Sequence, residues 1–126
     1  QFCFDADTII NWSKKINLEG NKIPIIIGLP GIAKLSTLLK YSLSCGIGNS
    51  VNFLKKQGSN VLNLMRTQEP NHLVRKLSNS EEALKENNIE GVHIYPLGGI
   101  RKSSDWANAI IDEKIKLTTN GFNVCY

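Results

Sequence analysis

Four side chains stand where chemistry could be done: Gln1, Tyr95, Arg101 and, less directly, Phe53. Gln1 opens the stretch Gln1-Phe2-Cys3-Phe4-Asp5, which reads as a buried strand running out into a loop. Tyr95 ends the strand Gly91-Val92-His93-Ile94-Tyr95, and Gly98, Gly99 and Arg101 follow it. A neutral amide and a phenol at strand ends offer donors and acceptors to the edge of a planar heteroaromatic ligand. Barrel and sheet proteins carry a glutamine, a tyrosine and an arginine at such places for many reasons, so the set by itself is weakly specific.

Other motifs point to no reaction. Gly28-Leu29-Pro30-Gly31 has no lysine where a phosphate-binding P-loop needs one, and Lys34 is misplaced for that role. Gly46-Ile47-Gly48 follows a helix instead of a strand, so its glycines read as turn residues. Ser44 and Ser50 lack the flanking glycines of a nucleophile elbow. Asp5 and Asp7 could pair as carboxylates, but Asp7 reads better as a helix cap. The thiols Cys3, Cys45 and Cys125 form no CxxC pair and read as reduced, which suits a cytoplasmic protein. His72 reads as a surface residue and His93 as a satisfied strand histidine, so no metal site is expected.

These residues need elements to hold them. The rhythm is strand, polar or glycine-rich loop, helix, with loops at Asp5-Ala6-Asp7, Gly28-Leu29-Pro30-Gly31 and Tyr95-Pro96-Leu97-Gly98-Gly99. Helices are expected over 5–17, 33–45, 50–56, 71–77, 81–87 and 105–114, with Ser80 capping the fifth and Ser103 or Ser104 the last. Ile23-Pro24-Ile25-Ile26-Ile27-Gly28 is continuously apolar, as a strand buried on both faces should be. Asn120-Gly121 marks a turn near the end. In parallel α/β folds the carboxyl ends of the strands hold the site. The chain is therefore expected to be α/β, one partial domain over 1–126, and the site-bearing edge of a larger protein, since residue 1 is not methionine.

Composition excludes more than it selects. With 126 residues, 41% hydrophobic and 21% charged, the chain can bury a core. No apolar run approaches the roughly 20 residues of a membrane helix. The net charge of +4 is spread over lysines mixed with acids, without an aromatic-laced basic stripe, so neither nucleic acid nor membrane is an expected partner.

The ordered set of motifs resembles a known family. Gln1-Phe2-Cys3-Phe4-Asp5 resembles the TQ-aromatic-F-D strand of methylenetetrahydrofolate reductases. Ile25-Ile26-Ile27-Gly28-Leu29-Pro30-Gly31 is similar to that family's following strand, with the proline one residue later than usual, and Val92-His93-Ile94-Tyr95-Pro96-Leu97 is similar to its last strand. Residues 28–58 and 91–105 are especially similar to a divergent bacterial branch, and the likeness covers nearly the whole chain.

The resemblance implies the C-terminal portion, about three βα units, of a (β/α)8 TIM barrel. It implies a cytoplasmic flavoprotein of one-carbon metabolism and methionine biosynthesis. That enzyme passes a hydride from NAD(P)H through FAD to methylenetetrahydrofolate, with FAD held mainly by strands before Gln1. It assigns Gln1 to the folate pterin, Tyr95 to the substrate and nicotinamide side of the flavin, and Phe53 to packing on the substrates. Gly98-Gly99 stands where the family often has Asn-Arg, and Arg101 is the expected substitute. No catalytic residue falls in this chain on that reading, and the intact enzyme would form a homo-oligomer. Two alternatives stay open: a barrel that binds folate or another methyl carrier without reducing it, and an assembly module that completes a separate N-terminal half.

Overall fold

The structure, a computed structural model, describes residues 1–47 and 61–126. Helix α1 (Ala6–Leu18) begins where Asp5 takes an extended backbone, φ −128° and ψ 121°, and its carboxylate accepts from the Thr8 amide. The cap is thus Asp5, and the expected cap Asp7 lies inside the first turn. There Asp7 pairs with Lys76. Ala6 and Ile9 turn inward while Trp12 stays half exposed.

Strand β1 (Ile25–Pro30) follows, two residues later than the apolar run suggests, because Ile23 and Pro24 are exposed. It pairs in parallel with β4 (Ile89–Tyr95), from Ile25 opposite Ile89 to Pro30 opposite Tyr95. Phe2 adds a parallel bridge to Gly28 on the other edge, and the Cys3 amide donates to Gly28 O at 3.0 Å. Three neighbouring parallel positions therefore run in chain order. At Gly28 an added Cβ would collide with the backbone of Gln1 and Phe2, so glycine is what lets the first segment approach.

Between β1 and β4 the chain makes a short antiparallel pair, β2 (Ala33–Lys34) with β3 (Thr67–Gln68). The expected helix over 33–45 is therefore shortened to α2 (Leu35–Ser44). The helices α3 (Val61–Leu64), α4 (Asn71–Ser78) and α5 (Glu81–Glu86) follow. Ser80 precedes α5 as expected but donates its hydroxyl back to Lys76 O, so it does not cap with its side chain. The helix expected over 50–56 lies outside the described residues.

Helix α6 (Ile100–Ile111) starts five residues before its expected position. Its N-cap is Gly99 at φ 118°, a backbone region open to glycine, and Ser103 is buried within the helix instead of capping it. The hairpin of β5 (Ile115–Leu117) and β6 (Phe122–Val124) closes the chain, with its turn at the expected Asn120-Gly121.

Strand alternation divides the core. One face carries Ile27 and Leu29, which pack with Ala6 and Ile9 of α1 and with Leu73 and Leu77 of α4. Burying each of the two strand side chains stabilises the fold by roughly 1.5–3 kcal/mol. The same side continues into Ile32, Trp106 of α6 and Phe122 of β6. The opposite face carries Phe2 and Phe4, covered by Leu35 and Leu38 of α2. Ile26, expected to be buried, is 58% exposed at the β1–β4 register shift.

The α/β class is thus as expected. Among the described residues the strands do not close into a barrel. Instead α2 covers the sheet face opposite α1, where a closed barrel would have its interior. No helix among the described residues is long and apolar enough to cross a membrane.

Candidate functional site

Strands β1 and β4 end at one level, and their loops knit together there. Tyr95 O accepts from the amides of Gly31 and Leu97, both at 2.8 Å. The loop 96–99 then lies across Ile32 and Ala33, with Gly98 in contact with their backbone. This edge presents Tyr95, the loop Pro96-Leu97-Gly98-Gly99 and the first turn of α6 side by side.

The Tyr95 ring is half buried in an aromatic layer. It lies 5.4 Å from Phe2, tilted at 60°, and 4.7 Å from His93 in an edge contact at 75°. Phe2 meets Phe4 edge-on at 5.6 Å. Such geometry is favourable for aromatic pairs. His93, read from the sequence as a satisfied strand histidine, lies in β4 and is exposed on this layer.

Gln1 is elsewhere. Because Phe2 is opposite Gly28, Gln1 stands level with Ile27, about 10 Å down the strand direction from the Pro30–Tyr95 end. It is exposed, and its side-chain amide donates to Cys45 O at 3.2 Å. Gln1 borders an apolar groove of about 570 Å³ between α1, β1 and the end of α2, with Trp12, Ile26 and Ile47 on its walls; Tyr95 does not line it. The structure therefore does not bring Gln1 and Tyr95 into one pocket. Arg101 projects from α6 with its side chain 95% exposed, 4.0 Å from the Asp105 carboxylate. Phe53 lies outside the described residues.

Sequence reasoning missed a small cavity at the same carboxyl edge. It measures about 280 Å³ and is lined by Ile32, Thr67, Glu69, Lys102, Asp105 and Tyr126. Glu69 is held from below: Asn71 Nδ2 donates to its carboxylate at 2.7 Å and to Phe122 O at 2.9 Å. Asn71 Oδ1 in turn accepts from the indole N–H of buried Trp106 at 2.7 Å. Partial burial, then the carboxylates of Glu69 and Asp105, push the Tyr126 phenol above its ordinary value. These residues are scattered along the chain, and no local spacing would have flagged them. Among the described residues no group of three or more His, Cys, Asp or Glu side chains is placed to hold a metal.

Among the described residues one buried side-chain polar atom lacks a hydrogen-bond partner. Ser103 is 5% exposed, and its Oγ makes no hydrogen bond. It sits under the first turn of α6, against Gly31 and beside Tyr95 O. No protein-family model matches the chain.

Proposed function

We propose that the chain is the C-terminal part of a flavin-dependent methylenetetrahydrofolate reductase, the last βα units of a (β/α)8 barrel. One observation carries the reading. The three segments that resemble the family, 1–5, 25–31 and 92–97, occupy adjacent parallel positions in the order of the family's strands, and the two longer ones end in register. In the intact enzyme FAD carries the redox chemistry while the protein positions NAD(P)H and the folate in turn. Gln1 and Tyr95 are the proposed folate-side contacts and Arg101 the proposed reductant-side contact. On this reading the layer of Phe2, Phe4 and Tyr95 is barrel interior, and α2 moves off it when the remaining strands are present.

The test uses the full-length natural protein. It should purify with a flavin spectrum, bleach with NADH or NADPH, and reoxidise with methylenetetrahydrofolate. A flavin that is reduced but not reoxidised by the folate would move the assignment to a barrel of other chemistry. Purification without any flavin, and without uptake of added FAD, would end the reductase reading.

A further inference from the structure

The tip of the β5–β6 hairpin holds a reactive pair that the folate reading does not use. Asn120-Gly121 is the one Asn-Gly step in the chain. Asparagine is among the chemically labile residues. Its weak point is the side-chain amide carbon, which lies within reach of the next residue's backbone nitrogen. Glycine in that next position leaves the approach open, because it has no Cβ and the widest choice of backbone conformations.

The structure leaves both partners free to meet. Asn120 is exposed, and among the described residues its side chain makes no hydrogen bond. The Gly121 amide likewise donates to no acceptor among them. The loop 118–121 is closed by the bond from the Thr118 amide to Gly121 O at 3.0 Å. Gly121 is buried against the start of α4, where an added Cβ would lie 3.6 Å from His72 N. Its nitrogen is thus held in place while the Asn120 side chain can turn onto it, an intramolecular approach favoured by proximity. Asn79-Ser80 offers a contrast, since the Ser80 amide is tied to Leu77 O at 2.9 Å.

We propose that Asn120 is a site of spontaneous covalent modification, converting through a cyclic imide to aspartate and isoaspartate, and that the isoaspartate form loosens the hairpin from α4. The Gly121 nitrogen gives its proton to hydroxide and attacks Asn120 Cγ. A C–N bond forms there, the Cγ–Nδ2 bond breaks, and ammonia leaves. Water then opens the ring without any oxidant or reductant. Cleavage of the new Cγ–N bond yields aspartate on an unchanged backbone. Cleavage of the original backbone C–N bond yields isoaspartate, whose main chain runs through the side chain and is longer by a methylene. That methylene falls directly before Gly121 and Phe122. Phe122 is 5% exposed, its ring stacks with Trp106 at 6.5 Å, and its carbonyl accepts from Asn71 Nδ2 at 2.9 Å, so the seating of the hairpin depends on the spacing that changes. The site requires neither flavin nor folate and stands whether or not the reductase reading does.

The experiment incubates the 126-residue chain at mildly alkaline pH and follows its peptides by mass spectrometry, with enzymatic methylation of isoaspartate to tell the two products apart. Asn120 should be the first asparagine converted in the folded chain. Asn120→Gln, whose longer side chain closes a larger ring, should keep its amide over the same period. Gly121→Ala puts a methyl group at ordinary contact distance from α4 and should slow conversion by about tenfold. The isoaspartate form, separated chromatographically, should melt below the parent, and Asn120→Asp close to it. Retention of the Asn120 amide in the folded chain while the urea-unfolded chain loses it overturns the proposal, because the hairpin then shields the pair. So does a Gly121→Ala chain that converts at the parent rate. An isoaspartate form that melts with the parent overturns the loosening of the hairpin.

Discussion

The bridge from Trp106 through Asn71 to the β5–β6 hairpin allows a stability change to be worked from geometry. Trp106 is 2% exposed, and its indole N–H has Asn71 Oδ1 at 2.7 Å. Asn71→Ala strands that donor, at about 1–3 kcal/mol for an unsatisfied buried group. The same change removes the 2.9 Å bond to Phe122 O, which loosens the hairpin against α4, at roughly 1 kcal/mol more. The expected loss is therefore about 2–4 kcal/mol, a large share of a small domain's stability. Asn71→Asp separates the two terms, since a carboxylate still accepts from the indole but cannot donate to Phe122 O. It also faces Glu69, to which Asn71 now donates at 2.7 Å, so part of the loss is expected to remain. Urea unfolding followed by Trp106 fluorescence, in a Trp12→Phe background so that one indole reports, measures both variants. An Asn71→Ala protein within about 0.5 kcal/mol of the parent would refute the reasoning, because no buried indole could then depend on that acceptor.

Asp5→Ala should cost about 1 kcal/mol as a lost helix cap, measured by the same urea series. The Thr8 hydroxyl and amide, with help from Lys76, hold the Asp5 carboxyl below its ordinary value of 3.8. Its contribution is therefore complete above that ordinary value and lost as pH falls through the lower folded value, so the parent and Asp5→Ala stability curves should converge only in that acid range. In the full-length protein, Gln1→Ala should slow flavin reoxidation by the folate with flavin content unchanged, and Tyr95→Phe should be milder; stopped-flow traces at the parent rate for Gln1→Ala would remove Gln1 from the folate site. The 126-residue chain alone should self-associate, because among the described residues the Phe2 bridge and β4 leave the outer sheet edges unpaired. Sedimentation of a clean monomer with a cooperative melt would contradict that.

The strand and helix rhythm was legible because burial imposes it. Ile27 and Leu29 had to face helices, and Ile9 had to face them from α1. Errors of boundary have physical causes. Asp5 and Asp7 are both good caps by type, and only the extended backbone at Asp5 selects between them. The start of α6 was misplaced because serine caps are the common signal, whereas this helix begins at a glycine with positive φ and turns its serine inward. The β2–β3 pair was invisible because two-residue strands carry no periodicity to read.

The candidate site was less legible because it depends on register, which no single segment encodes. Gln1 and Tyr95 both look like strand-end residues in isolation. The Phe2–Gly28 bridge puts Gln1 level with Ile27, while the β1–β4 register puts Tyr95 level with Pro30, three positions further along. The offset leaves Gln1 short of the carboxyl edge, where its side chain reaches the end of α2 instead of the Tyr95 loop. The consequence reaches the functional reading. Tyr95 shares its face with Phe2 and Phe4, which α2 now covers. A folate contact through Tyr95 therefore needs that helix displaced, while a contact through Gln1 needs its bond to Cys45 O released.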